Sequence, residues 1–314
     1  MSTLSNKIDF AVILRVDHAN PNGDPLNGNR PRTDYSGLGE ITDVCLKRKM
    51  RDRLQETGHN IFVQSDDRSM DGMKSLRNRA EHEQFGLGKQ AFVFSAKKAK
   101  SKKNAAETGA SAVDEEEQNK KERTALAACA KWFDVRAFGN LFAWESKAQS
   151  AESEDADSSN SKGVSIPIRG PVSVQTAFSV EPVEVTSTQI TKSVSGEGDG
   201  TKRGSDTMGM KHRVDRAVYV FRGSMNPQLA ERTGFSDDDA EAIKQILPRL
   251  FENDASSARP EGSMSVLKVL WWRHSSRAGQ FSSARVHATL KVAADGGYTL
   301  ENLDGLAPEE IDGF

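Results

Sequence analysis

Three cations stand close together in one segment of the chain, at Lys47, Arg48 and Arg51. They follow a loop crowded with asparagine, glycine, proline and aspartate, which are residues that hold turns and tolerate positive φ. Loop amides and a helix N-terminus attract anions, and lysine and arginine neutralise phosphates. The stretch Asn20–Arg53 is therefore suited to holding a phosphate chain. The same pattern also fits a glycine-rich turn followed by an ordinary amphipathic helix, because solvated basic helix faces are common.

Residues suited to catalysis or metal binding form no recognisable constellation. A ribonuclease needs a general acid and base, often histidine, or carboxylates that hold a metal. No two of the six histidines have ligand spacing, and Asp24 and Asp34 in the first loop are predicted to form turns. Cys45 and Cys129 lie far apart and form no CxxC, which argues against a disulfide framework or a zinc site. The sequence predicts neither an enzyme nor a cofactor.

The composition places any nucleic-acid site in a local patch. Across 314 residues, 43 lysines and arginines oppose 45 aspartates and glutamates, so the net charge of −2 does not indicate a nucleic-acid partner. Thr42–Arg53 carries five basic and two acidic residues, Lys202–Arg222 six and two, and Ser236–Asp254 two and six. The chain shows no signal sequence and no apolar run that could span a bilayer. We expect a soluble protein of the reducing cytoplasm.

The elements that must position the cations begin with an apolar run, Ile8–Val16, which predicts a buried strand ahead of the loop. The helix after the loop has Thr42 or Asp43 as its natural cap. Leu46, Met50 and Leu54 share one face of it, and the three cations share another. The sequence thus predicts a strand, a loop and a helix with one buried and one basic face.

The middle of the chain is less regular. Short helices and turns are predicted for residues 61–94, a mobile surface insertion for Lys97–Arg123, a helix for Thr124–Trp132 and a strand for Phe133–Gly139. The insertion carries a lysine cluster that could touch nucleic acid but fits a solvated loop better: Lys97, Lys98, Lys100, Lys102 and Lys103. Lys147–Lys162 is rich in serine, glutamate and aspartate and predicts a second, disordered insertion.

The second half of the sequence predicts mainly strands. They are predicted in Val164–Val180, in the long hairpin Val183–Val194 and Val214–Phe221, in Ser265–Trp272 and in Arg285–Val292. Asp237–Phe251 predicts an acidic amphipathic helix whose core side is Ala240, Ile243, Ile246, Leu247 and Leu250. The tail after Gly296 is polar and is expected to be loosely held. This order predicts an α+β domain with an RRM-like (ferredoxin-like) core and large excursions.

The tip of the long hairpin is the second candidate for binding. Gly196, Gly198 and Gly200 make it flexible, and its cations are Lys202, Arg203, Lys211, His212 and Arg213. Met208 and Met210 offer apolar groups that could lie against bases. An isolated two-stranded ribbon is marginally stable, so a long exposed hairpin needs a partner or remains a surface loop. The functional interpretation is an arm that grips nucleic acid or a neighbouring subunit.

Several segments together resemble one family: NPNGDPLNGNRPRTD, ITDVCLKRKMRDRL, FDVRAFG, IRGPVSVQTAFSVEPVEVTSTQITKSV, SDTMGMKHRVD and LFENDASSARPEGSM. In this order they are similar to the type I-C CRISPR Cascade backbone subunit of the RAMP superfamily. The resemblance covers most of the chain except the two biased insertions and the tail. It implies several copies polymerised along a CRISPR RNA, each with an RRM-like palm, a helical finger region and a β-hairpin thumb that flips bases out of the guide.

The resemblance also implies a set of RNA-binding residues and partners. The residues are Asn20, Asn22 and Arg32 in the first loop, Lys47, Arg48 and Arg51 on the helix, Gln175 in the central strand, and Met208, Lys211, His212 and Arg213 at the thumb. The implied partners are CRISPR RNA, target DNA in a guide–target heteroduplex, further copies of the chain and other Cascade subunits, with no membrane. The domain boundaries expected are 1–60 and 222–314 for the palm, 61–132 for the finger, 133–182 for palm strands with an insertion near 147–162, and 183–221 for the thumb.

The alternative from another class is a RAMP-family endoribonuclease. Related type III backbone subunits cut RNA with an aspartate in the first loop, and here Asp24, Asp34 or His212 at the thumb would have to serve. The sequence favours a scaffold without catalysis that supports pairing of guide RNA with invading DNA.

Overall fold

A computed structural model describes residues 2–69, 71–94, 108–144, 163–192 and 208–314. The strands are β1 Ile8–Ala19, β2 Gly23–Asp24, β3 Arg30–Pro31, β4 Leu38–Ile41, β5 Gly139–Trp144, β6 Val164–Arg169, β7 Val172–Val174, β8 Ala177–Pro182, β9 Val185–Thr191, β10 Met208–Met225, β11 Met264–Arg273, β12 Leu290–Val292, β13 Tyr298–Leu300 and β14 Glu309–Asp312. The α-helices are α1 Asp43–Glu56, α2 Leu76–Glu81, α3 Thr108–Lys131, α4 Phe133–Phe138, α5 Pro227–Thr233, α6 Asp237–Ile246 and α7 Ser283–Ala288. Short 3₁₀ turns occupy Pro25–Asn27, Asp66–Arg68, Lys89–Phe92 and Leu247–Arg249.

The chain divides into two compact units. The first unit consists of Met1–Ser5, Leu54–Val172 and Asn226–Asp239, and the second of Asn6–Arg53, Ser173–Met225 and Ala240–Phe314. All the residues proposed from the sequence to bind RNA belong to the second unit. None of the helices in the described ranges is both long and apolar enough to cross a membrane.

The second unit is built on one mainly antiparallel sheet with the strand order β14-β11-β1-β10-β8-β4. Its centre is β1, which pairs with β10 from Ile8↔Met225 to Ala19↔Val214 and with β11 on its other side. Apolar residues at nearly every position of β1 are buried, as expected for a strand that is covered on both faces. The predicted first strand is confirmed, and it continues three residues beyond Val16 to Ala19.

Helix α1 follows the predicted pattern. The side chains of Leu46, Met50 and Leu54 are each 0% exposed, which confirms the apolar face expected from their spacing. Thr42 caps the helix, because its Oγ1 accepts a hydrogen bond of 3.3 Å from the backbone N–H of Cys45. The cap and the apolar stripe together fix where the helix begins and which side turns inward.

One sheet face of the second unit is covered by the C-terminal part of the chain. A buried cluster joins sheet residues such as Ile13, Val220 and Trp272 to Val286 of α7 and to Leu303. The strand predicted for Arg285–Val292 is therefore wrong in its first part, where α7 is capped by Ser282 and only Leu290–Val292 forms a strand. The tail is not loosely held either, since β14 pairs with the edge strand β11, for example Val269↔Ile311.

The first unit has an aromatic core. Phe62, Trp132 and Phe142 pack with ring centroids 4.7–6.3 Å apart, and Phe92 joins them. Strands β5 and β6 form a two-stranded sheet beside this core.

Two expectations for the first unit were wrong. The insertion predicted as mobile at Lys97–Arg123 is helical from Thr108 onward, in one helix with the predicted Thr124–Trp132 segment, while residues 95–107 lie outside the described ranges. The strand predicted for Phe133–Gly139 is helix α4. The Asp134 carboxylate accepts backbone N–H bonds from Phe62 at 2.7 Å and Val63 at 3.1 Å, so long-range contacts fix this short segment. All of the acidic insertion Lys147–Lys162 lies outside the described residues.

A buried histidine makes the stability of the second unit depend on pH. The Nε2 of His287 donates to the Gly223 carbonyl at 3.1 Å, and burial lowers the pKa of His287, with smaller opposing and supporting effects from Asp9, Arg222 and Lys7. As the pH falls, residue 287 therefore binds a proton in the unfolded chain before it does so in the folded chain. We expect the free energy of unfolding to be highest above about pH 6.5, the ordinary histidine pKa, and to fall as the solution is acidified.

Urea unfolding between pH 8 and pH 5 measures this dependence. His287→Gln should flatten the curve of unfolding free energy against pH. An equally steep acid loss in His287→Gln would contradict the assignment.

Candidate nucleic-acid interface

The first loop of the second unit is a small folded structure. Strands β2 and β3 pair Gly23 with Pro31, and the turn between them places Gly28 and Asn29 at φ near +60°. Asp24 Oδ1 accepts from the Leu26 N–H at 3.2 Å, and Asp34 Oδ1 accepts from the N–H groups of Ser36 and Leu38, both at 2.8 Å. The prediction that both aspartates form turns is confirmed.

Two asparagines hold the loop against its surroundings. Asn22 Oδ1 accepts from both the N–H and the Oγ1 of Thr42 at 3.0 Å, which ties the loop to the start of α1. Asn20 is only 3% exposed, and its Nδ2 donates to the Asn29 carbonyl at 2.7 Å. Its Oδ1 is buried without a hydrogen-bond partner among the described residues. Asn20 therefore shapes the loop from within, and the structure does not place its amide on the surface.

The basic face of α1 is smaller than the sequence count indicates. Lys47 Nζ lies 2.9 Å from Asp43 Oδ2, and Arg48 Nε lies 3.8 Å from Asp52 Oδ2, with the Arg48 side chain 47% exposed. Arg51 is half-buried beside them. Intrahelical pairs of this kind hold long side chains on one face but contribute little stability. The cations keep the positions predicted for them.

Two further cations of the same helix point inward. Lys49 and Arg53 are 2% and 4% exposed. Lys49 is ion-paired with Asp254, whose Oδ2 also lies 3.2 Å from Arg259 Nε, and burial lowers the pKa of Lys49. The local charge of +3 read from Thr42–Arg53 thus overstates the charge that the surface presents.

The long hairpin is present as a two-stranded arm. Strands β9 and β10 pair from Val185↔Val214 to Thr191↔Met208, which confirms the two predicted strands and extends the second one in both directions. The arm exposes Met208 at 65% and Met210 at 55%, while Lys211, His212 and Arg213 are half-buried. The tip residues 193–207 lie outside the described ranges, including the predicted glycines and the cations Lys202 and Arg203.

The first loop and the base of the arm are joined by side chains that the sequence did not single out. Arg30 Nη1 donates to Ser187 Oγ at 3.1 Å, and Ser187 Oγ lies 2.8 Å from His212 Nδ1. Beside this link, Asp215 accepts from Arg213 Nε at 3.1 Å and from Thr186 Oγ1 at 2.6 Å. The structure therefore brings the loop and the arm together. The only sequence signal for Arg30 is that it precedes Arg32 by two positions, on the same side of an extended segment.

Arg32 and Gln175 complete the predicted set. Arg32 Nη2 lies 3.3 Å from Asp24 Oδ1, and its Nε is buried without a hydrogen-bond partner among the described residues. Gln175 is exposed, and its backbone N–H donates to the Arg222 carbonyl at 2.8 Å. Its side chain borders a cleft of about 320 Å³ on the sheet. Across the described ranges, no group of three or more histidine, cysteine, aspartate or glutamate side chains is arranged to hold a metal ion.

The chain is similar to several known proteins. Residues 6–306 match the family described as CRISPR-associated protein Cas7. A CRISPR-associated protein Cas7 from Haloferax volcanii is 28% identical over 273 residues, which cover 86% of this chain and 71% of that relative. Two solved structures, a CRISPR RNA-guided surveillance complex in a pre-nicking state and a CRISPR RNA-guided surveillance complex, are 17% and 15% identical. Both have a TM-score of 0.44, and the matches cover 85% and 93% of this chain and 78% and 77% of theirs. Because the family match spans all but the two ends of the chain, the protein belongs to the CRISPR-associated Cas7 family.

Proposed function

We propose that this Cas7 protein, a backbone subunit of a CRISPR RNA-guided surveillance complex, holds the guide RNA between its first loop, the basic face of α1 and its arm. The observation that carries the proposal is the Arg30–Ser187–His212 link, which fixes the loop against the base of the arm. Cations on the loop, the helix and the arm all belong to the second unit, and Asn22 ties the loop to the start of α1. A surface of this kind contacts phosphates and does not need to read sequence.

The strand order supports a ferredoxin-like palm. Strands β11, β1, β10 and β8 lie side by side and antiparallel, with α1 between β1 and β8 in the chain and α6 between β10 and β11. This is the β-α-β-β-α-β order of a split βαβ fold. We assign residues 1–60, 133–182 and 222–314 to the palm, 61–132 to a helical finger region and 183–221 to a thumb that includes the arm.

We propose a scaffold without catalysis. The groups that an endoribonuclease would need are already engaged: Asp24 and Asp34 accept backbone N–H bonds, and the His212 Nδ1 is bonded to Ser187. A general base must lie within hydrogen-bond reach of the proton that it removes, and these groups instead have structural hydrogen bonds within the loop and the arm. The second candidate function is the RAMP-family endoribonuclease.

The proposal extends to the assembly. Further copies of the chain line up along one CRISPR RNA, other Cascade subunits complete a type I-C complex in the cytoplasm, and base pairing with target DNA supplies the sequence specificity. The protein then reads the backbone and shape of the strand, as other sequence-tolerant single-strand binders do.

Mass measurement of the protein on RNAs of increasing length tests this function. We expect the number of bound copies to rise in steps with RNA length, and the RNA to stay intact in magnesium. Asp24→Ala and His212→Ala should leave any cleavage that a preparation shows unchanged. A single copy on every length would contradict the polymer, and loss of cleavage with retained binding in either variant would favour the endoribonuclease.

A further inference from the structure

The cleft beside Gln175 has an unusual combination of side chains. Its walls come from β8, β10 and β12 and from the residues just before β8, and they include Gln175, Thr176, Phe178, Val220 and Arg222. The volume of about 320 Å³ suits a ligand of small-molecule size. The Phe178 ring and the Arg222 guanidinium of this cleft take no part in the loop, helix and arm contacts described above.

Arg222 brings a positive charge into this cleft without a partner. Its Nε is buried and donates to no hydrogen-bond acceptor among the described residues, and none of the ion pairs of the described ranges includes its guanidinium. Among the described residues, no carboxylate lines the cleft. The carboxylate nearest to Arg222 by register is Asp9 on β1, which stands opposite Ser224, and its Oδ2 lies 3.2 Å from Lys7 Nζ and 2.9 Å from His274 Nε2. Desolvation lowers the pKa of Arg222, but an arginine stays charged at neutral pH. A half-buried guanidinium without a counter-ion favours an anion or a carbonyl-rich ligand.

Phe178 supplies a flat apolar surface next to this charge. Its side chain is 41% exposed although it stands on a sheet strand. Phe178 pairs with Val220 across β8 and β10, and Arg222 follows Val220 by two positions, so Phe178 and Arg222 lie diagonally on the same sheet face. Cross-strand diagonal neighbours are about 7–8 Å apart, within reach of one another's long side chains. A ring and a guanidinium at this separation can contact two parts of one ligand.

A nucleotide is the ligand that these groups fit best. An exposed aromatic ring on a sheet stacks an unpaired base, and arginine binds the negative phosphate or the carbonyl edge of a base. Gln175 and Thr176 add amide and hydroxyl groups at the rim. Resting on the proposed RNA-binding function, we infer that this cleft holds one unpaired nucleotide of the bound single strand, with its base on Phe178 and its phosphate or base carbonyl on Arg222.

A short single-stranded RNA that carries one 2-aminopurine tests the inference on the full chain. Stacking quenches the fluorescence of 2-aminopurine, so the free protein should quench the probe when it binds. Phe178→Ala should relieve the quenching and weaken binding roughly 5- to 150-fold, the range expected for loss of one base–aromatic stack. Phe178→Tyr should keep the quenching, which separates loss of the ring from misfolding.

Arg222 is tested in the same assay. Arg222→Gln should weaken binding without abolishing the quenching, and Arg222→Lys should restore part of the affinity because it keeps the charge. Phe314→Ala is the matched control, since Phe314 is another exposed phenylalanine of the second unit that lies against an arginine, with the Arg249 guanidinium 3.7 Å from its ring centroid. This control should behave like the unchanged protein.

The outcomes separate this site from the proposed phosphate surface. Unchanged quenching and affinity in both Phe178→Ala and Arg222→Gln would overturn the inference, even if cations of α1 are shown to bind RNA. Adenosine monophosphate distinguishes a nucleotide within a strand from a free one. If it binds the unchanged protein but not Phe178→Ala, while the RNA signal is the same in both, the cleft serves free nucleotides and the inference is wrong.

Discussion

Replacing Lys47, Arg48 and Arg51 together with alanine is expected to weaken RNA binding equally for every RNA sequence. All three side chains stand on α1 away from its buried face of Leu46, Met50 and Leu54, so the fold should remain. Each cation that contacts a phosphate of a single strand contributes about 0.7 to the slope of log K against log salt, and loss of three should lower the slope by roughly 2. We expect affinity to fall on the order of tenfold or more near 0.15 M salt.

Titrations of RNA at several salt concentrations measure both quantities. The matched control is Lys244, Lys268 and Lys291 changed to alanine, because these lysines of the second unit are ion-paired with Glu309, Asp312 and Glu301. The control changes the net charge by the same amount. An equal loss in both triple variants would assign the effect to net charge, and an unchanged slope in the α1 variant would contradict the phosphate contacts.

Replacing residues 195–210 by a short Gly-Ser link is expected to abolish ordered multimers on RNA. Residues of β9 are all exposed or half-buried, so the arm adds almost nothing to the core and the thermal midpoint of the free chain should not move. If the arm crosses the guide and packs on the next copy, its removal leaves single bound copies. Electron micrographs of complexes on a long RNA distinguish the two states, and regular multimers of the variant would contradict this role.

The same arm predicts a periodic tolerance of mismatches. A hairpin that crosses a strand interrupts its stacking, so a base displaced at each crossing cannot pair with target. Binding of targets with single mismatches should therefore show tolerated positions at a fixed period equal to the subunit spacing. The control replaces the segment 147–162 by the same link and should keep the period. A flat profile for the unchanged protein would rule out this model of the arm.

The parts of the fold that follow from local pattern could be predicted. The buried face of α1 repeats at helical spacing, and β1 is an apolar run, so both are visible in the sequence. Helix α4 could not be predicted in the same way, because its six residues are too few to show a period and its Phe133 N–H donates to the distant Asn60 carbonyl at 2.8 Å. Strand β14 likewise depends on the free edge of β11, about forty residues earlier in the chain.

Some features of the candidate site could likewise be predicted from the sequence and others could not. The spacing of Lys47, Arg48 and Arg51 predicts a shared face, and hydrophobicity predicts the two strands of the arm. Spacing does not reveal that Lys49 is buried against Asp254, because its partner is 205 residues away. The Arg30–Ser187 bond, across 157 residues, is equally invisible in the sequence, and so is the unpaired charge of Arg222 in its cleft.

The length of β10 has a consequence for how the arm responds to a load. One unbroken strand of 18 residues pairs with β1 along the centre of the sheet and then continues as the inner strand of the arm. No loop separates the two parts. The arm is therefore a rigid extension of a strand that is hydrogen-bonded to β1 within the sheet. Its amide protons should be progressively harder to exchange from Met208 toward Val218, where a continuous run of buried residues begins. A force applied near Met208 should therefore displace the outer part of the arm more than the part of β10 that lies within the sheet.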